Sequence, residues 1–266
     1  MSKLLSFKYT LTLLMFCGLA AHAQILHIDS VGCEVNETDT SYLNKMVRHE
    51  GQFYNQIFNT HLNDTASIRI SIYGKNKAYV KAVKATGLKD LTNGMYSAEQ
   101  NRTFVFKNEA FMHVILRSVS NNLWRYNYPN APKWLTEGSA TVMSFIDEDE
   151  NRKLIYTPNF DYNKQIKDLT WGDGIDFDAL FMDNNTDWNS KASTNGKVLH
   201  AVSFCVFYFL VIQDKDYLTP IVASLKQGHT ADEAFASAFG SFGVFKDKFT
   251  FYYRYLVKSR FSSASM

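Results

Sequence analysis

The chain has 266 residues, 46% of them hydrophobic and 15% aromatic, and its 28 Lys and Arg nearly balance its 26 Asp and Glu for a formal net charge of +2. Lys3 and Lys8 sit in an amino-terminal leader without acidic residues, so the charge beyond the leader is about zero, which gives no reason to expect nucleic acid or an anionic lipid surface as partner. The roughly 240 residues that follow hold enough Phe and Tyr to bury a full core, in one domain or two closely packed lobes, and no repeat, low-complexity tract or Pro/Gly-rich linker divides them.

An apolar run from Leu11 to Ala21 and the small-x-small triplet Ala21-His22-Ala23 read as a signal peptide over residues 1–23, cleaved after Ala23. The run is short of the ~20 residues that span a bilayer, so the expectation is a secreted or periplasmic protein with no membrane span after cleavage. Phe16 stands where lipid attachment at Cys17 would want a small residue. Cys33 and Cys205 remain in the exported chain, either as one disulfide or with Cys205 as a buried small hydrophobe inside an apolar helix.

Residues 24–266 are expected to form one α+β domain, with a β-rich lobe and an amino-terminal helix over about 24–107 and a helical lobe from about 108. Ile25 to Asp29 alternates as a short strand, and Asp39 or Ser41 is positioned to cap a helix carrying Leu43, Met46, Val47, Phe53, Tyr54, Ile57, Phe58 and Leu62 at helical spacing. His49-Glu50 falls on that helix, as a solvated face or as a proton relay. Ile68, Ile70 and Ile72 alternate with Arg69 and Ser71 as a strand with one wet face, and Tyr79 to Ala85 reads as a short helix. Gly87 and Asn93-Gly94 mark turns, and Thr103 to Phe106 is a second strand, as an edge or as a hairpin partner of the first.

The next helix runs from about Asn108, its expected cap, to Trp124, with Phe111, Val114, Ile115, Leu116, Val119 and Leu123 on its apolar face. A loop to Pro132 leads into a helix at Trp134, and Lys153 to Tyr156 has the form of a hairpin arm. Phe160 to Trp188 is rich in Asp and Asn and reads as a solvated loop flanking a cleft, with a short capped helix over 176–182; it lacks the spacing of a calcium loop. Helices follow over Gly196 to Ile212, which carries His200 and Ser203, over Asp216 to Gln227, from a Thr230/Glu233 capping box, and over Val244 to Ser259, whose aromatic stripe reads as core.

The chemistry-bearing stretches are Glu109-Ala110-Phe111-Met112-His113 and Pro132-Lys133-Trp134-Leu135-Thr136-Glu137-Gly138-Ser139-Ala140. In the pattern His-Glu-x-x-His, two imidazoles one turn apart reach one zinc ion while the Glu serves as base. With His113 as the second histidine of that pattern, Glu109 takes the place of the first and Ala110 that of the base. With Glu109 as the base, the ligand positions fall on Asn108 and Met112. An inserted residue that kept both Glu109 and His113 would turn the helix face by about 100°. None of these registers completes a hydrolytic zinc site.

The second stretch resembles the Pro-x-Trp-Leu-x-Glu-Gly-x-Ala signature of the peptidase MA-like branch of the gluzincin metallopeptidases. Weaker likenesses at Asn93 to Ser97, Val198 to Leu210, Leu225 to Gly228 and Ala234 to Gly240 extend the resemblance over roughly residues 40 to 258. It implies a thermolysin-like architecture, with Glu137 as a metal ligand beside His113 and Glu109. Thr141 stands where the family often carries another acidic residue. Two carboxylates and one imidazole suit zinc or a harder divalent ion such as manganese. His113 is open to a second reading, as a core histidine hydrogen-bonded to Glu137. His200 is a candidate oxyanion donor or a satisfied interior group; Glu109 and His200 are the candidate catalytic residues, and His200 or Glu50 would substitute for the missing base. The expected function is an exported gluzincin-like pseudopeptidase, without a required cofactor, that keeps the fold as a peptide-binding or structural module and accepts a peptide or protein in its cleft. The alternative is a metal-dependent peptidase using Glu109, His113 and Glu137 as ligands.

Overall fold

Ile68, Ile70 and Ile72 turn to one face of a strand and bury almost completely there. This strand, β2 (Ser67–Tyr73), lies inside a four-stranded sheet ordered β1-β2-β4-β3 in the computed structural model, which describes residues 25–87, 92–97, 99–151, 153–172, 174–182 and 185–257. β1 (Ile25–Val31) and β4 (Arg102–Phe106) both run parallel to β2, and β3 (Gly94–Ser97) pairs antiparallel with β4. Parallel neighbours need long crossovers. Here α1 (Glu37–Phe58) connects β1 to β2, and α2 (Asn76–Ala85) lies between β2 and the β3–β4 hairpin.

The sheet departs from expectation in three ways. Thr103 to Phe106 is neither an edge nor a hairpin partner of the Ile68 strand but its parallel neighbour, with β3 outside it. β3 itself lies in a stretch that reads as a turn, since four residues opening on Gly show little alternation. The face of β2 opposite the isoleucines is not uniformly wet: Ser71 is buried and accepts a hydrogen bond from Arg102 Nη1 at 2.7 Å, while Arg102 also pairs with Asp29 of β1 at 2.6 Å.

The rest is mostly helical. α3 (Phe111–Asn127) and α4 (Lys133–Met143) are followed by a two-stranded ribbon, β5 (Ile146–Glu148) with β6 (Leu154–Tyr156). Then come α5 (Phe160–Trp171), α6 (Phe177–Met182), α7 (Asn185–Asp214), α8 (Leu218–Lys226), α9 (Ala231–Phe239) and α10 (Phe242–Phe251), which passes into a π-helical turn over Tyr252–Leu256. The fold is thus mixed α+β. One apolar core runs through sheet and helices, joining Met46, Ile70, Ile115, Trp134, Phe204 and Phe235.

Local capping explains several boundaries. α1 begins before the expected Asp39 or Ser41, because the Asn36 side chain accepts from Asp39 N at 2.6 Å. α5 replaces the expected solvated loop: Asn159 accepts from Tyr162 N at 3.0 Å and Ile166 is buried, so a polar composition conceals a capped, one-sided helix. The box ahead of α9 is present, with Thr230 N donating to the Glu233 carboxylate at 2.8 Å and Glu233 N to Thr230 Oγ1 at 3.3 Å. Of the expected aromatic stripe, Phe249 and Tyr253 are core, whereas Tyr255 and Leu256 are exposed and Tyr255 packs on the exposed Trp171. Cys33 and Cys205 are both free thiols, so the disulfide option does not hold. The leader expected over 1–23 lies outside the described residues. Among the described residues no helix is long and apolar enough to cross a membrane.

His49-Glu50 is not a solvated pair. His49 Nε2 lies 2.7 Å from the carboxylate of Glu148, the last residue of β5, and Glu50, one residue on, is fully buried with no hydrogen-bond partner for either carboxyl oxygen. Burial raises the Glu50 pKa well above its ordinary 4.5, because a charge there would be stripped of water. One turn along, Tyr54 shares a hydrogen bond with Ser120 of α3, and Trp124 Nε1 donates to Ser139 of α4. Since the folded chain holds the Glu50 proton more tightly than the unfolded one, stability from this group is complete below pH 4.5 and is lost as pH rises through the raised value, by up to ~1.4 kcal/mol per pH unit. Glu50→Gln is expected to flatten that fall in a series of urea melts between pH 5 and 9.

Candidate functional site

α4 buries Trp134, Leu135, Gly138, Ser139, Val142 and Met143, which leaves Lys133, Glu137 and Thr141, one turn apart from each other, on its opposite stripe. Gly138 sets how closely α7 approaches: a Cβ at this position would lie 2.3 Å from the Ser203 carbonyl oxygen, so a side chain could not fit without separating the helices. His200 stands one turn before Ser203 on α7. That close crossing brings its Nδ1 to 3.9 Å from Glu137 Oε2.

From α3, Arg117 reaches across with both arms of its guanidinium. Nη2 pairs with Glu137 Oε2 and Nη1 donates to Thr141 Oγ1, so one planar cation holds two successive turns of α4. Lys133 Nζ is 3.9 Å from Glu137 Oε1. The Glu137 side chain is 18% exposed and that of Arg117 35%. Burial lowers the His200 pKa below its ordinary value; Glu137 opposes this, while Arg117 and Lys133 reinforce it. His200 is therefore predominantly neutral at pH 7, and the cluster is a carboxylate neutralised by a guanidinium, with Lys133 as a more distant second cation.

The expected ligand set is not brought together. Glu109 lies exposed in the turn before α3, because the Asn108 side chain accepts from Ala110 N at 3.0 Å and delays the helix to Phe111. Glu109 and His113 are therefore not successive turns of one helix face. His113 is exposed, its ring packs 4.5 Å from that of Phe145, and its Nδ1 donates to the Ser144 carbonyl at 2.6 Å. Ser144 caps the carboxyl end of α4, where carbonyls lack helical partners, so the imidazole meets a backbone need there and does not bond Glu137. Among the described residues no group of three or more His, Cys, Asp and Glu side chains is placed to hold a metal ion. Nor does Glu50 reach this cluster by any hydrogen bond.

Arg117 is the site residue that the sequence reading misses. The available signal was spacing: Arg117 lies one helical turn beyond His113 on the same face, and 20 residues before Glu137. The residues as they stand do not fit a divalent ion. A divalent charge about 4 Å from the guanidinium meets repulsion on the order of 8 kcal/mol at an effective dielectric of about 20.

Around this cluster, Arg125 of α3 stacks on Tyr96 of the edge strand β3 at 4.1 Å. A Cβ on Gly94 would come within 2.3 Å of Val114 Cγ1, so β3 rests directly on α3. Phe145 also lines a pocket of about 330 Å³ with Thr157, Pro158, Asn159, Phe160 and Asp161. In comparisons with known proteins, no family model and no curated protein matches this chain.

Removing either member of the Arg117–Glu137 pair alone leaves a half-buried charge without its partner. Arg117→Gln and Glu137→Gln are each expected to cost about 1–3 kcal/mol in denaturant melts. The double variant should cost clearly less than the sum; additive costs would show that the pair is not coupled.

Proposed function

We propose that this protein is an exported, gluzincin-like pseudopeptidase that keeps a thermolysin-like arrangement of sheet lobe and helical lobe as a peptide-binding module. The observation that carries this reading is the Arg117–Glu137 pair. The acidic residue of the Trp-Leu-x-Glu-Gly stretch faces out of its helix as a metal ligand would, but its charge is spent on a guanidinium. Ala110 is not a base, and Val114, which follows His113, is not one either. Loss of general-base catalysis alone removes ~10² to 10⁴ in rate. Export rests on the leader, with Lys3 and Lys8 before the apolar run and Ala21-His22-Ala23 at its end.

Binding has a concrete seat in this reading. β3 lies at the edge of the sheet, so an extended peptide can pair with its outer side as a fifth strand. Arg125 over Tyr96 then borders the peptide on the side of α3. Addition of extended peptides from a mixed library is expected to slow amide exchange at Gly94–Ser97, with no cleavage and no stoichiometric zinc or manganese after dialysis. Peptide hydrolysis that depends on a retained metal and disappears in Glu137→Gln would overturn the pseudopeptidase reading. Unchanged exchange at β3 with every peptide would overturn the binding part.

A further inference from the structure

α3 sets a line of cations beside the edge strand. A Cβ on Gly94 of β3 would meet Val114 and lie 3.7 Å from Ser118 Oγ, so the strand rests along this stripe of the helix. Two turns beyond Ser118, on nearly the same face, Arg125 lays its guanidinium on the Tyr96 ring of that strand at 4.1 Å. Arg117 adjoins the stripe about 12 Å from Arg125 along the helix axis. Glu137 faces this line from α4, pairing with Arg117 and acting through space on Arg125. Lys133, one turn earlier on α4, is 3.9 Å from the same carboxylate. We propose that the surface of α3 between β3 and α4 selects acidic extended peptides, the carboxylates of alternate residues in a strand added to β3 meeting Arg125, Lys133 and the remaining N–H donors of Arg117.

Charge balance carries this. Arg117, Arg125 and Lys133 share the single carboxylate of Glu137, and His200 is predominantly neutral, so the groove holds two positive charges in excess on a chain whose net charge beyond the leader is about zero. Glu109 ahead of α3 and Glu99 after β3 are both exposed and lie beyond the two ends of the line. Among the described residues Arg125 makes no ion pair, its guanidinium being stacked on Tyr96. Partial burial lowers its pKa, with Tyr96 and Glu137 opposing, so this cation has given up water without gaining a carboxylate of its own. A guanidinium in that state takes a carboxylate through parallel N–H donors, which a neutral or basic side chain cannot use. Spacing agrees with the same partner. In an extended strand, residues two and four apart point to one side at roughly 7 and 13 Å, and the longer interval is close to the separation of Arg117 and Arg125.

The inference rests on the peptide-binding role proposed for β3 and names the class of peptide. Short peptides blocked at both ends, alternating Val with Glu, with Gln or with Lys, separate the two. Titrated into the full chain at low salt, the Glu peptide is expected to bind about tenfold more tightly than the Gln peptide, since two or three surface ion pairs contribute about two- to fivefold each, and the Lys peptide should bind more weakly than either. Raising the salt to about 1 M should remove most of that preference. Arg125→Gln and Lys133→Gln should each reduce the ratio of Glu to Gln affinity about two- to fivefold, and Arg125→Glu should shift the preference toward the Lys peptide. Arg117 is left in place because its pair with Glu137 ties α3 to α4. Slowed amide exchange at Gly94–Ser97 with all three peptides at equal affinity would overturn the acidic selectivity and leave the edge-strand reading standing, whereas slowed exchange with none of them would overturn both. A preference for Glu that persists undiminished when Arg125→Gln and Lys133→Gln are combined would also overturn the inference, because the carboxylates would then be read elsewhere. Should the combined variant lose its cooperative melt, the two single variants decide the same question.

Discussion

A carboxylate that is mostly withdrawn from water must be compensated, and the arrangement of the helical half follows from how Glu137 meets that requirement. The compensating charge comes from another helix, so α3 is tied to α4 by a planar fork with defined direction. Gly138, the next residue, lets α7 come into backbone contact on the other side. Glu137 and Gly138 together therefore position three helices, one through charge and one through the absence of a side chain. The sheet edge is placed by the same helix, since Gly94 of β3 rests on Val114, three residues before Arg117.

What was legible in the sequence is what short-range chemistry dictates. The Ile68, Ile70, Ile72 alternation, the Thr230/Glu233 box and the helix expected at Trp134 after Pro132 each depend on residues a few positions apart, and each is found. The failures come from tertiary pairing. Periodicity cannot show that Thr103 to Phe106 joins β2 in parallel, nor that an edge strand sits at Gly94–Ser97. Hydrophilicity concealed α5, whose single buried stripe is enough to hold it. Glu50 broke the rule that charged residues face water, and does so as a neutral acid.

The site was legible only in part, for a related reason. Glu137 stood out because its neighbours form a specific pattern. Arg117 did not, because an arginine in an amphipathic helix looks like any surface cation until its partner is known. As the second ligand of a motif His113 would pair backward along the chain with Glu109, whereas the helix does not begin until Phe111 and its face continues forward to Arg117. His113 was then claimed by the carboxyl end of α4, a backbone demand that no side-chain motif records.

Cys33 and Cys205 bear on how the chain is made. Cys33 Sγ donates to the Ile72 carbonyl at 3.5 Å, and Cys205 is buried against Asn163, so the two sulfurs serve separate neighbourhoods. With no covalent cross-link between them to form or reshuffle, the redox state of the compartment where the polypeptide matures does not select among its conformations. The fold is held by its apolar core together with hydrogen bonds and the Arg117–Glu137 pair, none of which depends on the oxidation state of a thiol.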